Sequence, residues 1–140
     1  MYKIKFLESG RFYWADRPEA ADGTIMTSAH IAGYTINVYQ DDVEIHADAG
    51  GPTPPFATYA APVNDGFWSA DDIGYTTLLL IDPQSWDTPP AGGSKCHIRI
   101  EYTTSYIVAP GTTADPIVTQ IDATVVADRK YLSGVTVIEP

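Results

Sequence analysis

Period-two alternation constrains this chain more than any other feature. Tyr34, Ile36 and Val38 alternate with Thr35, Asn37 and Tyr39, and Val43 and Ile45 alternate with Glu44 and His46. Successive strand residues point to opposite faces, so each run buries one face and leaves the other to solvent. The Gln40–Asp42 segment between them predicts a β-hairpin with Asp41–Asp42 at its tip. A second alternating run holds Cys96, Ile98, Ile100 and Tyr102 on one face, with Lys95 and His97 on the other. Further strands are predicted near Tyr2–Leu7, Arg11–Trp14, Gly66–Ala70, Tyr75–Ile81, Lys95–Thr103, Ile117–Ala127 and Tyr131–Ile138. Their Val, Ile, Thr and Tyr content suits a pleated, half-buried surface. No segment carries a helical stripe. The best local helix is one turn at "DPQSW", where Asp82 can cap and Pro83 fits the first helical position. The expected fold class is all-β, a two-sheet sandwich.

Length and composition agree with a single folded domain. The 140 residues are 44% hydrophobic and 19% charged, an ordinary globular balance. The formal charge is −10, and the eight Lys and Arg are scattered along the chain. Nucleic acid and anionic membrane are therefore not expected partners, since both demand a basic footprint. Cys96 is the one cysteine, so no intrachain disulfide forms, and a buried structural thiol is expected. The opening "MYKIKFLESGRFYWAD" lacks the apolar core and small-residue cleavage site of a signal peptide, which points to folding in the cytosol.

Two stretches are rich in breakers, Ala47–Gly66 and Asp87–Gly93. The first reads as a long loop, either functional and ordered by a partner or simply a solvated surface excursion. Phe56 and Tyr59 within it, Trp86 beside the second stretch, and Tyr2 and Phe6 in the N-terminal segment are the candidate partner contacts, with packing over the sheet edge the commoner role for a residue placed like Trp86. Trp68, in "GFWSA", is expected in the core.

Motifs that carry chemistry are missing. His30, His46 and His97 show no zinc-type spacing, and His46 with Asp48 forms only an isolated H-x-D. The pairs Asp41–Asp42 and Asp71–Asp72 do not make an EF-hand loop. There is no G-x-S-x-G elbow, Walker loop or G-x-G-x-x-G. No catalytic residue, metal or cofactor is expected.

The order "YTINVYQDDVEIHA", "GFWSADDI", "GYTTLLLID", "GGSKCHIRIEYT" and "VTQIDATVVAD" resembles the immunoglobulin-like domains of tailed-phage virion proteins, including upper baseplate and fibre proteins. It covers Tyr34 to Asp128. "PIVTQIDATVVADRK" reads as the strand that completes an edge. The resemblance implies an immunoglobulin-like β-sandwich over residues 34–140. It leaves residues 1–33 as an extra hairpin or arm, packed on the domain or on a neighbour. It further implies a non-enzymatic virion protein, assembled in the host cytoplasm in several copies on other virion proteins. Tail, baseplate or fibre attachment is expected first, and head decoration second. The alternative from another class is a glycan- or calcium-binding sandwich module, which would require Trp86, Phe56 and Tyr59 to line one groove.

Overall fold

The computed structural model describes residues 1–66, 68 and 70–127. Its ten strands are β1 (Tyr2–Leu7), β2 (Phe12–Asp16), β3 (Ile31–Gln40), β4 (Val43–Gly50), β5 (Phe56–Val63), β6 (Tyr75–Ile81), β7 (Lys95–Thr104), β8 (Ile107–Ala109), β9 (Thr112–Thr113) and β10 (Ile117–Val126). Five form one sheet in the order β1-β10-β7-β3-β4, three form a second in the order β2-β6-β5, and β8-β9 is a separate hairpin. All pairings are antiparallel except β1 with β10, which is parallel. The order β10, β7, β3, β4 against β2, β6, β5 is the G, F, C, C′ against B, E, D arrangement of an immunoglobulin-like sandwich.

The alternation predicts the inner faces well. Cys96, Ile98, Ile100 and Tyr102 of β7 are all buried beside Ile36 and Val38 of β3 and Ile121, Ala123 and Val125 of β10. Phe56, Leu79 and Ile81 close the core from the smaller sheet. Asp41 and Asp42 both take positive φ, 52° and 63°, as a two-residue hairpin turn matched to strand twist demands. Asp82 caps the predicted turn, a 3-10 turn at Pro83–Ser85, by accepting from the Gln84 amide at 3.3 Å. Burial pushes the Cys96 thiol up, as expected of a structural cysteine.

Four expectations are corrected. First, residues 1–33 pack on the domain but do not form a hairpin of their own. β1 and β2 do not pair with each other; each joins a different sheet, and Phe6 stacks on Phe12 across the core at 5.2 Å. Second, Ala47–Gly66 is not a long loop. β4 runs through Gly50 and β5 begins at Phe56, so the prolines at 52, 54 and 55 sit in a five-residue connector. Pro62 is tolerated because β5 lies at a sheet edge, where a missing donor costs no ladder bond. Third, β10 is not an edge, because β1 covers it. Fourth, no strand forms among the described residues of Gly66–Ala70, and Trp68 is half-buried outside the core. The strand expected at Tyr131–Ile138 lies outside the described residues.

Antibody domains tie strand B to strand F with a disulfide. Here the corresponding tie between β2 and β7 is polar. The buried Asp16 carboxylate of β2 accepts from the Tyr102 hydroxyl of β7 at 2.8 Å and from the Thr119 hydroxyl of β10 at 2.6 Å. The Trp14 indole N–H at 3.3 Å and the Arg17 amide at 2.8 Å complete its partners. Desolvation, and next the Asp16 charge, raise the Tyr102 hydroxyl well above its usual range.

Tyr75 is pushed up to about 12, first by burial and then by its hydrogen bond to Asp65. A raised pKa stabilises the fold below the unfolded value, and this contribution is lost as pH climbs through the folded one. Stability should therefore decline from about pH 10 upward, as unfolded tyrosines ionise and folded Tyr75 and Tyr102 resist. Urea midpoints at pH 8 and pH 11 check this; equal midpoints would contradict it.

Candidate functional site: the braced loop end

Three connections meet at one end of the sandwich: residues 17–30 between β2 and β3, 64–74 between β5 and β6, and 105–116 between β7 and β10. Such loop clusters are where immunoglobulin-like domains carry binding surfaces.

The first and second connections are locked together by Arg17. Its guanidinium donates to both oxygens of Asp71 at 2.8 and 2.6 Å and to the Gly74 carbonyl at 3.1 Å. Trp68 lies 5.4 Å from that guanidinium by its ring face, and its indole N–H donates to Asp71 at 3.1 Å. Arg17, then Trp68, hold the Asp71 carboxyl well below the usual carboxylate range. Gly74 completes the turn with φ 102°, and a Cβ there would stand 2.4 Å from the Val63 carbonyl oxygen. We expect Gly74→Ala to cost about 2–3 kcal/mol, since it combines a left-handed backbone with a backbone clash. A thermal melt reads this directly, and an unchanged melting temperature would contradict it.

The third connection carries its own hairpin. β8 and β9 pair as a short hairpin closed at Pro110–Gly111, with Gly111 at φ 77°. Proline followed by a positive-φ glycine suits a type II turn. The base of the hairpin is braced. The Tyr106 hydroxyl donates to Asp22 at 2.7 Å and lies 3.1 Å from the Thr24 hydroxyl, and its ring meets His30 edge-on at 5.3 Å. The Ser105 amide donates to the His30 carbonyl at 2.8 Å. The Asp22 carboxyl is lowered, first by the Thr24 amide and then by Tyr106. On this fixed base Ile107 and Val108 are 56% and 43% exposed. Ile73 of the second connection is also exposed, at 51%.

The five partner-contact candidates have other surroundings. Phe56 is buried in the core against Tyr34 and Tyr102, Trp86 is buried between Phe6 and His46, and Phe6 is buried with them. These three side chains are corrected to core residues: each falls on an inward face once its strand or turn is in place. Tyr59 is half-buried edge-on to Tyr75, and Tyr2 alone of the five is exposed, edge-on to Trp14. Phe56, Tyr59 and Trp86 do not line one groove. His46 faces Trp86 and accepts from the Asp87 amide at 3.3 Å, rather than pairing with Asp48. His97 lies 3.1 Å from both Asp122 and Gln120. Among the described residues no group of three or more His, Cys, Asp or Glu side chains is placed to hold a metal ion.

The hairpin is the exposed feature that sequence reasoning missed. Its signal is present in "YIVAPGTT": two exposed β-branched residues, then a P-G turn pair. No family model, no curated protein and no solved structure matches the chain.

Proposed function

We propose that this protein is a non-enzymatic virion structural protein of a tailed phage, present in several copies and docked on other virion subunits. Tail, baseplate or fibre attachment is its first placement, and head decoration the second. The observation that carries the reading is the β8–β9 hairpin, which holds Ile107 and Val108 in solvent on a hydrogen-bonded base. An apolar strand on a rigid support loses little conformational freedom when it is buried by a partner. The strand order supports the immunoglobulin-like part of the resemblance, but a fold hosts many functions, so the hairpin bears the weight.

Quantitative mass spectrometry of purified phage particles tests the proposal. The expected result is this chain at a fixed copy number relative to the other particle proteins. Its absence from particles, with abundant free protein in the lysate, would overturn the reading.

A further inference from the structure

We propose a second site: a cleft on the outer face of the five-stranded sheet, at the end opposite the β8–β9 hairpin, that binds an acidic saccharide. The cleft has a volume of about 600 Å³, within the range of small-molecule sites. Charges of both signs line it, and Asp122 of β10, opposite Lys3 in register, is already engaged with His97 at 3.1 Å. Lys3 and Lys5 of β1 and Lys95 of β7 are all the lysines among the described residues, and all three line it. That is a strong local concentration in a chain of formal charge −10. Asp41 and Asp42 at the β3–β4 turn line it as well. The side chains of these five residues make no ion pair or hydrogen bond among the described residues, which leaves them available to a ligand. The left-handed backbone at both aspartates fixes the turn that presents them. Tyr39 adds a half-buried ring to the lining.

Those groups specify a ligand chemistry. The ammonium groups take a carboxylate through charge-assisted hydrogen bonds. The aspartates accept only, so they take hydroxyl donors. The tyrosine ring takes an apolar C–H face. A sugar bearing a carboxylate offers all three. Inorganic anions satisfy only the lysines, and neutral sugars satisfy only the aspartates and the ring.

Amide chemical shifts of the full chain, followed during titration, test this. The probes are tri-galacturonate and sialyllactose, two sources of the sugar carboxylate, with lactose, sodium sulfate and a glutamate-rich peptide as comparisons. The expected result is saturable shifts at Asp41, Asp42 and Lys95–His97 with at least one acidic sugar at millimolar concentration. The uronate or the sialoside, whichever binds more tightly, then identifies the source. Lys5→Gln/Lys95→Gln should weaken binding about tenfold or more, as should Asp41→Asn/Asp42→Asn, a change that keeps residues tolerant of positive φ. Arg11→Gln, outside the cleft, should leave binding unchanged. All variants sit on the surface, and their melting temperatures establish that they are folded. The proposal is overturned by no shifts with either acidic sugar, by equal binding to the lysine variant, or by sulfate or the peptide matching the sugars. Particle incorporation plays no part in this readout, so its outcome is independent of the docking proposal.

Discussion

Asp16→Ala is expected to lower the unfolding free energy by about 3–5 kcal/mol, as breaking a buried charged network does. The carboxylate receives hydrogen bonds from Tyr102 and Thr119, both on the opposite sheet, and Tyr102 is fully buried. Truncation leaves both hydroxyls without that acceptor, and each unmade buried hydrogen bond costs about 1–3 kcal/mol. The loss is a large share of the roughly 5–15 kcal/mol that holds a typical domain folded. Tyr102→Phe removes one donor and keeps the carboxylate, so it should cost less, about 1–3 kcal/mol. Urea unfolding of the two variants tests this order. A loss under about 1 kcal/mol for Asp16→Ala would show that the tie between the sheets contributes little.

The second large effect concerns the hairpin. Ile107→Asp/Val108→Asp should weaken docking at least about a hundredfold. Burying each apolar side chain contributes roughly 1.5–3 kcal/mol, and a factor of ten in affinity corresponds to about 1.4 kcal/mol. The fold itself should lose little, since both side chains are largely outside the core, at 56% and 43% exposure. A binding titration against the partner subunit, beside a thermal melt, separates the two effects. A variant that melts as the wild type and binds equally well would remove the hairpin from the interface.

Strand identity was legible wherever one face is buried and the other wet. β7 and β10 fall within a residue of their predicted limits, because a one-residue shift would expose their apolar sets. β5 escaped because "PPFATYAAPV" mixes prolines with small residues. Its strand character comes from pairing Phe56 with Leu79 and Ala57 with Leu78, not from its own pattern. The same tertiary override buried Phe56, which local composition had placed in a loop. Contacts between distant residues carry no local signal at all. Asp16 meets Tyr102 and Thr119 across 86 and 103 residues, and Arg17 meets Asp71 across 54. The lysine cleft is likewise assembled by the parallel β1–β10 pairing and the position of β7 beside β10.

The most direct measurement places a photo-reactive amino acid at position 107 of the chain as it is assembled into particles, with the same group at position 11 as the control. Docking through the hairpin predicts irradiation-dependent cross-links from position 107 to another virion protein, at a yield well above that from position 11. Particles that contain the chain but give no cross-link from position 107, or give them equally from position 11, would contradict it.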